Sequence, residues 1–582
     1  MNSVITDARL SSGQFDPGGH LEMKSPTQDL RQIQNGHIIP SFYYADQPYL
    51  VDTADGAWLC VLTTGYGDEG ESGQHIVSMR SMDRGKTWQE VIPIEPKNGP
   101  EASWAVPLRI PSGRIFVFYV YNTENIRELP ADQAAFKNGK THRMDSHGDY
   151  VFRWSDDHGK SWSSERIKIP VREFEIDRTN STGGAVRLFW NVGRPQIIDS
   201  SVFIPLHKVK GFGVGWFTHS EGAFVRTDDL ISLQNPSRAT WVTLPEGDHG
   251  LKAPEWGGDI AEEQSLVSLS DGSLFCSYRT VAGYVAGSYS RDQGKTWETP
   301  HFLHYQDGGL VKHPRAACFT WKLSSGGYLL WYHNHGGEFI SNHPQRGEIA
   351  YADRNPAWIS PGIEKLTERG LELVWGNPEV VLYDDDPYIR ISYPDLKEEG
   401  DEIYITETQK KVARIHCFSE RLTLALRHGE KSFNAEEIIV ESFVNYHGTG
   451  KPHTLKAPEW PLFLSKSKEC PFGLNDLRGG LSIELELNPH LSRTGTLFSC
   501  WESSLGGLWV GWKENGILSI KLSDGRSEFS WDCEHFRSQG ISNHIVIIVD
   551  GGPKIISYIV DGKRMDGGSE RQFGWGRFTP YF

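Results

Sequence analysis

Acidic, basic and phenolic side chains stand near the ends of apolar extended segments in this sequence. The segment EEQSLVSLSDGSLFCSYR places Glu263 sixteen residues before Arg279, and the segment RISYPDLKEEGDEIYITE carries Tyr393 close to its start. Arginine binds carboxylates through two parallel hydrogen bonds. A carboxylate can take the proton of a neighbouring hydroxyl and so activate it as a nucleophile. These residue types are suited to acid–base chemistry on a ligand that carries a carboxylate.

The sequence contains only weak signals for metal binding or for other kinds of catalytic site. In WYHNHGG, His333 and His335 would face one side of a strand and could bind a metal, but two histidines without a third ligand are a weak signal, so no metal is expected. In KHPRAACF, His313 and Arg315 could contact a substrate or could form hydrogen bonds in a channel. The sequence has no phosphate-binding glycine loop, nucleophile elbow or zinc-finger spacing, and no cofactor is expected.

The segments that must position these residues are extended and come in pairs separated by a turn. Six such hairpins follow one another along the chain, and no long window shows helical periodicity. The six hairpins predict an all-β fold, a six-bladed β-propeller over residues 31–430 preceded by an N-terminal extension over residues 1–30. They read ADQPYLVDTADGAWLCVL, ASWAVPLRIPSGRIFVFYV, GRPQIIDSSVFIPLH, EEQSLVSLSDGSLFCSYR, KHPRAACFTWKLSSGGYLLWYHN and RISYPDLKEEGDEIYITE.

A shorter repeat supports this architecture. SMDRGKTW (81–88), SDDHGKSW (155–162) and SRDQGKTW (290–297) share the pattern Ser-x-Asp-x-Gly-Lys-Ser/Thr-Trp. The types suit a tight turn, because the Asp can bond the turn backbone and the Gly can adopt positive φ. The three segments resemble the Asp-boxes (BNR repeats) of sialidases and related propellers, where their role is structural.

The resemblance to sialidases extends to the candidate chemistry. The fourth hairpin resembles the sialidase hairpin that begins with a Glu and ends with an Arg, and the sixth resembles the one that supplies a Tyr. By this resemblance Tyr393 is the nucleophile, Glu263 is its base, and Arg279 is one of three arginines that bind the sialic acid carboxylate. A neutral tyrosine suits such a substrate, because a charged carboxylate nucleophile would be repelled by the substrate's own carboxylate.

The other two arginines are harder to assign. Arg354 in YADRNPAWIS is preferred as the third arginine, and Arg346 in HPQRGEIAYA is its rival. The first arginine is missing, because the aligned position in ADQP is Asp46. Arg194 in WNVGRPQI could substitute for it or could form an ordinary salt bridge. With this departure, the site could serve sialic acid, another acidic sugar or a neutral one.

The proton donor is left between two residues. Sialidases use an Asp in the loop before the first Asp-box, and here the loop GYGDEGESGQH offers Asp68. Asp46 is the alternative, from its place on the inner strand.

A different pattern begins near residue 431. Short alternating segments such as SIELELNP, GLWVGWK and HIVIIVDGG are separated by Gly or Asp turns. They predict a β-sandwich over residues 431–582, which resembles a laminin-G or concanavalin-like jelly roll. Such domains are common appendages of glycosidases.

Composition limits the partners and the compartment. The net charge of −16 disfavours nucleic acids and anionic membranes, whereas 12% aromatic residues suit a carbohydrate binder. The seven cysteines include no CxxC pair, which predicts mostly buried free thiols. No signal peptide or long apolar stretch is present, so we expect a cytoplasmic protein, or a secreted or periplasmic one if a signal has been removed.

Together these patterns predict a retaining exo-glycosidase that removes a terminal acidic sugar, sialic acid first, from a glycan. Two alternatives remain open. One is a propeller hydrolase or lyase that acts on uronic-acid polysaccharides, for which His313, His333 and His335 could serve. The other is a glycan-binding protein without activity.

Overall fold

The protein is described by a computed structural model. It covers residues 28–427, 478–487, 495–502, 506–523, 525–533 and 543–578 with their side chains, and residues 4–12, 428, 442–447 and 477 as backbone. The predicted all-β class, with a β-propeller and a β-sandwich, is confirmed, since strands dominate both compact units. The described helices are short: Ile33–Asn35, Glu175–Arg178, Pro236–Arg238, Glu338–Ser341, Arg346–Ile349, Glu420–His428 and Leu477–Gly479.

The first compact unit comprises residues 36–383 and 387–429. Its described residues form six antiparallel sheets of four or five strands, numbered here from first to sixth along the chain with the innermost strand first in each. Two further sheets have two strands each and consist of Leu129–Pro130 with Lys140–Thr141 and of Phe212–Gly213 with Trp216–Phe217. Sheets one to three are Tyr44–Asp52, Trp58–Gly65, His75–Ser81 and Ile92–Pro93; then Ala102–Arg109, Ile115–Tyr121, Asp149–Ser155 and Ile167–Lys168; then Phe189–Trp190 with Gln196–Ile198, Ser201–Val209, Ser220–Thr227 and Val242–Leu244.

Sheets four to six follow the same order. They are Glu262–Ser268, Leu274–Arg279, Ala286–Ser290 and His301–Phe302; then Phe319–Lys322, Tyr328–Tyr332, Ala357–Thr367 and Gly370–Trp375 with Glu379–Leu382; then Ser392–Glu399, Glu402–Thr408, Ala413–Cys417 and His37–Ile39. The sixth sheet therefore takes its outermost strand from the start of the unit, which joins the beginning and the end of this unit within one sheet.

Each of two pairs of neighbouring sheets packs around a hydrophobic cluster of its own. Val61 of the first sheet and Val117 of the second belong to one buried cluster, and Leu62 of the first sheet packs with Ile415 of the sixth in another. Because each sheet is covered on both faces, its strands are apolar along their length rather than alternating, as in IFVFYVY (115–121). This arrangement places the six innermost strands around the centre of the unit.

The three repeated segments form turns between the third and fourth strands of their sheets. In the first, the Asp83 carboxylate accepts hydrogen bonds from Ser81, from the Thr87 amide and from the Thr87 hydroxyl. Gly85 adopts φ 80° and donates its amide to the Ser81 hydroxyl. Equivalent bonds occur at Asp157 and Asp292. All three turns thus lie on one face, opposite the starts of the innermost strands.

The second unit, residues 1–35, 384–386 and 430–582, is a two-sheet sandwich. One sheet contains Ser442–His447, Val4–Ser12, Leu481–Leu487, Asn543–Asp550, Ile555–Val560, Lys563–Arg564 and Gly576–Arg577; the other contains Gly495–Ser499, Gly507–Trp512, Leu518–Ser523 and Glu528–Cys533. Both contribute to one buried cluster, which includes Ile547 and Ile520. The alternation seen in the sequence arises because each sheet buries one face.

Two other sequence expectations concern whole-chain properties. Cys60, Cys276 and Cys318 are buried free thiols, as predicted, and Cys470 lies outside the described residues. Within the described part of the chain, no helix is long and apolar enough to cross a membrane.

A network of hydrogen bonds and one ion pair, called the central tie below, joins the third, sixth and first sheets of the first unit. Arg194 donates to the Asp395 carboxylate at 2.8 Å and to the Leu50 carbonyl at 2.8 Å, and the Leu50 amide donates to the other Asp395 oxygen at 2.6 Å. The Tyr49 hydroxyl donates to the Val192 carbonyl at 2.9 Å. Asp395 is fully buried, and burial raises the pKa of its carboxyl group. Arg194 therefore compensates the charge of the Asp395 carboxylate, and it links the sixth sheet to the first.

We predict that Arg194→Ala lowers the free energy of unfolding by about 3 kcal/mol, because it leaves the buried Asp395 carboxylate without its ion pair. Urea denaturation followed by tryptophan fluorescence measures the loss. Lys168→Ala, which breaks the exposed pair with Asp149, is the control and should cost less than about 1 kcal/mol. Equal losses for the two variants would contradict a stabilising role for this tie.

Candidate active site

A local backbone feature recurs on four innermost strands and positions side chains at the centre. In each strand one extra residue interrupts the antiparallel register, which defines a β-bulge, and a residue in the bulge has a positive φ. These residues are Gln47 (φ 52°), Trp104 (φ 63°), Glu263 (φ 61°) and Tyr393 (φ 47°). Positive φ is unfavourable for residues other than glycine, and such strain concentrates at functional sites.

Two of these bulge residues contact each other. The Tyr393 hydroxyl donates a hydrogen bond of 2.8 Å to Oε1 of Glu263, and the two residues are only 3% and 1% exposed. Burial raises the pKa of the Glu263 carboxyl, and the adjacent Glu262 raises it further. Burial and the Glu263 charge also raise the pKa of Tyr393. A phenol is therefore held against a carboxylate that can receive its proton.

Arg279 joins this pair to a second carboxylate. Its Nη1 lies 2.8 Å from Oε2 of Glu263, and its Nε and Nη2 each lie 2.9 Å from Oε2 of Glu262. Arg315 binds the same Glu262 carboxylate, with Nη2 2.7 Å from Oε1. Burial opposes ionisation of Glu262, but Arg315 and Arg279 outweigh it and hold the pKa of Glu262 at about 2. Glu262 is thus an ionised counter-ion for both arginines.

Arg354, a buried arginine beside Arg279 and Arg315, has spare hydrogen-bonding capacity. It donates to the Ser392 hydroxyl at 3.1 Å and to the Arg315 carbonyl at 3.2 Å, and its buried Nε has no partner among the described residues. Burial, together with the charges of Arg390 and Arg279, lowers the pKa of Arg354 to about 10. No described carboxylate lies in ion-pair contact with Arg354, so the guanidinium is prepared for an anion.

Tyr351 covers the arginine cluster. The guanidinium carbons of Arg315, Arg279 and Arg354 lie 4.9, 6.0 and 6.0 Å from the centre of its half-buried ring. The rival candidate, Arg346, is exposed on the helix Arg346–Ile349 and bonds the Ser341 carbonyl. The structure therefore brings Arg354 together with Arg279, and it does not bring Arg346 or Arg194 into this cluster.

Asp46 is connected to Tyr393 through Lys410. Its Oδ2 accepts hydrogen bonds of 2.8 Å from the Tyr44 hydroxyl and from Nζ of Lys410, while its buried Oδ1 has no partner among the described residues. Burial and the charge of Glu69 raise the pKa of Asp46, although Lys410 and Tyr44 oppose this effect. The ammonium of Lys410 also lies 4.2 Å from the centre of the Tyr393 ring.

Glu69 and Asp68, in the loop after the second strand of the first sheet, differ in their exposure and in their ion-pair partners. The Glu69 carboxylate lies 3.0 Å from Lys410 and 2.9 Å from Arg143, and although burial favours its neutral form, these two cations lower the pKa of Glu69 well below its ordinary value. The Asp68 side chain is 71% exposed and meets only Lys411, at 3.2 Å, among the described ion pairs. The structure places Glu69, one residue beyond the predicted Asp68, beside the central cluster.

Aromatic and neutral groups close the site. The Trp104 ring lies 6.2 Å from the Tyr393 ring, and Trp104 donates its indole N–H to the Asp145 carbonyl. The Glu263 amide donates to Nδ1 of His207 at 3.2 Å. Burial lowers the pKa of His207 to about 3, so its imidazole is neutral. The Tyr393–Glu263 pair therefore lies in a region that excludes most water.

The three histidines considered for a metal site or a lyase lie near backbone carbonyl groups. His313 contacts the Ala316 carbonyl through Nε2 at 2.8 Å, His333 lies 3.5 Å from the Pro356 carbonyl, and His335 contacts the Asp353 carbonyl at 2.7 Å. Among the described residues, no group of three or more His, Cys, Asp or Glu side chains could hold a metal ion.

Comparisons with known proteins give a fold-level likeness. No family model and no curated protein sequence matches the chain. A protein of unknown function from Dyadobacter fermentans is 14% identical (TM-score 0.44; 66% of this chain and 96% of that chain covered). The intramolecular trans-sialidase of Ruminococcus gnavus is 15% identical, with a TM-score of 0.43, and the match covers 67% of this chain and 98% of that chain. The Trypanosoma rangeli sialidase is 12% identical, with a TM-score of 0.41, and the match covers 95% of this chain and 90% of that chain. Proteins this distant can differ in reaction and substrate.

The arrangement can bind a carboxylate, activate a phenol and donate a proton. Sequence reasoning located Tyr393, Glu263, Arg279, Arg354 and Asp46, but it gave no role to Lys410, Glu69 or Arg143. One signal was available for Lys410. Asp46 lies on a strand that was predicted to be innermost, and a buried carboxylate there needs a compensating cation nearby.

We predict that millimolar N-acetylneuraminate raises the Tm of the protein, because a ligand that binds the folded state alone stabilises it. Arg354→Gln should abolish the increase, since it removes the uncompensated guanidinium. Arg346→Gln is the matched control and should keep the increase. The measurement is differential scanning fluorimetry. An undiminished increase in Arg354→Gln would exclude this residue as the carboxylate ligand.

Proposed function

We propose that this protein is a retaining exo-glycosidase that removes a terminal acidic sugar from a glycan, with sialic acid as the first candidate. The observation that carries the proposal is the 2.8 Å hydrogen bond from the Tyr393 hydroxyl to Glu263 in a buried site next to Arg279. A tyrosine bonded to a base of raised pKa beside an arginine cluster suits a sugar with a carboxylate on its anomeric carbon.

In the proposed first step, the Tyr393 oxygen attacks the anomeric carbon while Glu263 takes its proton. Asp46 protonates the glycosidic oxygen as the bond to the leaving group breaks. In the second step Asp46 takes a proton from water, the resulting hydroxide attacks the anomeric carbon, and Tyr393 leaves and recovers its proton from Glu263. Two displacements at one carbon retain its configuration.

Arg354 and Arg279 bind the sugar carboxylate in this proposal. Arg354 has no described carboxylate partner, so the substrate carboxylate supplies one. Arg279 contributes less free charge, because Glu262 and Glu263 already compensate it. Arg194 has no part in this step, because it is bound to Asp395.

The choice of Asp46 as proton donor follows from its environment. A donor must hold a proton near neutral pH, and burial favours the neutral form of Asp46. Glu69 is kept ionised by Lys410 and Arg143. Asp68 is largely exposed and lies against Lys411.

We propose residues 31–430 as the catalytic propeller and residues 431–582 as a laminin-G-like or concanavalin-like sandwich that binds glycans. The single core shared by the two sandwich sheets supports the second assignment. The expected partner is a glycan or oligosaccharide.

The central experiment compares conservative variants at the catalytic pair. Tyr393→Phe and Glu263→Gln should each lower kcat about 1000-fold on an aryl glycoside of N-acetylneuraminic acid, because each removes a group that acts in the transition state. Substrate binding should persist in both variants. Tyr328→Phe and Glu364→Gln alter a hydrogen-bonded pair on the second and third strands of the fifth sheet, away from the candidate site. They are the matched controls and should keep activity.

The outcomes separate the alternatives. Full activity of Tyr393→Phe would exclude the tyrosine nucleophile. Turnover of unsaturated products from a uronic-acid polysaccharide would support the lyase, and binding of glycans without any turnover would support the non-enzymatic alternative. NMR of the first-formed sugar product tests retention directly.

A second prediction concerns pH. Lys410 lowers the pKa of Asp46, so Lys410→Met should raise that pKa and keep Asp46 protonated to higher pH. The alkaline limb of kcat should therefore move to higher pH, even if the maximal rate falls. Rates from pH 4 to 9 measure the shift. Lys411→Met, which alters the exposed partner of Asp68, should leave the limb in place. An unchanged limb in Lys410→Met would exclude Asp46 as the donor.

A further inference from the structure

A buried histidine of the third sheet contacts the backbone of the proposed base, Glu263. His207 lies on the strand Ser201–Val209 and is fully buried. Its Nδ1 accepts the Glu263 amide at 3.2 Å, across the boundary between the third and fourth sheets. A ring nitrogen accepts only while it carries no proton, so the imidazole is neutral and its proton is on Nε2. Burial keeps the ring in this form, because it lowers the pKa of His207 to about 3.

The Glu263 amide needs an acceptor outside its own sheet. The register of the fourth sheet shifts at the bulge, which takes Glu263 out of the ladder of paired residues. A buried amide without an acceptor is unfavourable. His207 supplies this acceptor, just as the Ser220 hydroxyl accepts the Ala261 amide at 2.9 Å. Two side chains of the third sheet thus hold the backbone on either side of Glu262.

The His207 ring is held in one place, although part of it is unsatisfied. The Trp190 ring meets it edge-on, with the ring centres 3.8 Å apart. The two sheets are in close contact here, since a Cβ added at Gly193 would collide with the Gln264 carbonyl. The buried Nε2 of His207 has no partner among the described residues. A leucine would avoid the cost of a buried N–H, so packing alone does not account for a histidine at this position.

A corresponding contact occurs between the first and second sheets. The amide of Trp104, the bulge residue of the second sheet, donates to the Thr63 hydroxyl at 3.1 Å. Thr63 and His207 each stand two residues before the end of the second strand of their sheet. This position therefore supplies an acceptor for the bulge of the next sheet in both places. At Trp104 the bulge directs an aromatic ring, whereas at Glu263 it directs the carboxylate that receives a proton.

We propose that His207 is a positioning residue for Glu263, and that it directs the Glu263 carboxylate toward the Tyr393 hydroxyl by accepting the amide of the bulge. The inference rests on the proposed function, because it concerns the base of that reaction. Without the acceptor, the bulge amide would turn toward another partner and move the carboxylate out of its 2.8 Å contact with Tyr393. Reaction rates depend steeply on such geometry. Binding of the acidic sugar rests on Arg354 and is not affected.

The test compares three substitutions of His207 on the aryl glycoside of N-acetylneuraminic acid. His207→Leu removes the acceptor and should lower kcat about 100-fold, with KM changed less than about 3-fold. His207→Asn places its oxygen where Nδ1 was and should bring kcat to within about 5-fold of the unmutated protein. His207→Gln places its oxygen one bond further away and should stay at least about 10-fold below the asparagine variant. Equal kcat values for the asparagine and glutamine variants would overturn the proposal, and this comparison stands even if His207→Leu does not fold.

Thr63→Val is the matched control, since it removes the corresponding acceptor from the bulge at Trp104. Its kcat should stay within about 3-fold of the unmutated protein, and a loss as large as that of His207→Leu would overturn a specific role for His207. Binding is measured by differential scanning fluorimetry. N-acetylneuraminate should raise the Tm of His207→Gln as it raises that of the unmutated protein. Loss of this increase would show that His207 supports the whole site rather than the base, and it would also overturn the proposal.

Failure of the proposed function is distinguishable from failure of this inference. If the unmutated protein turns over no acidic glycoside, the glycosidase proposal fails. Crystal structures of His207→Asn and His207→Gln then decide the inference separately. The hydrogen bond between Tyr393 and Glu263 should be kept in the asparagine variant and lost in the glutamine variant. Its presence in both variants would overturn the positioning role.

Discussion

Arg279 holds two adjacent carboxylates in a place from which water is largely excluded, and the rest of the site depends on this interaction. Charges this deeply buried are costly unless each is compensated. Glu262 is compensated by Arg279 and Arg315, and it stays ionised. Glu263 receives only part of the charge of Arg279, so its pKa rises and it becomes the better proton acceptor. Two neighbouring residues of the same type thus acquire different properties from their partners alone.

The backbone makes this division possible. A regular strand would place Glu262 and Glu263 on opposite faces of the fourth sheet, one in each inter-sheet core. The bulge at Glu263 instead turns its side chain toward the centre, where the equivalent bulge presents Tyr393. The strain of the positive φ values is borne by the paired strands on either side, which are fixed by the shared cores.

The sequence was sufficient for those parts of the site that follow from the hairpin pattern. Glu263 and Tyr393 stand at the starts of predicted innermost strands, and Arg279 stands at the end of the strand paired with the first of these, so the alignment of hairpins brought them together. Lys410 and Glu69 lie in connections, where neither periodicity nor spacing indicates a direction. Asp68 was the type match in its loop, yet Glu69 faces the site, because a turn can reverse side-chain direction within one residue. Arg194 matched the required type but is bound to the buried Asp395.

Asp46, at a position where the resemblance to sialidases led us to expect an arginine, changes the charge of the site less than the sequence implies. Lys410 binds Asp46 and Glu69 together, so the cation that the first strand lacks is supplied from the sixth sheet. The charge of Lys410 is already compensated by these two carboxyl groups. The charges of Arg279 and Arg315 are likewise compensated by glutamates of the fourth sheet. Of the three buried arginines beneath Tyr351, only Arg354 lacks a described carboxylate partner. One anionic group would therefore balance the charge of this cluster, which is the physical basis for the carboxylate ligand of the proposed function.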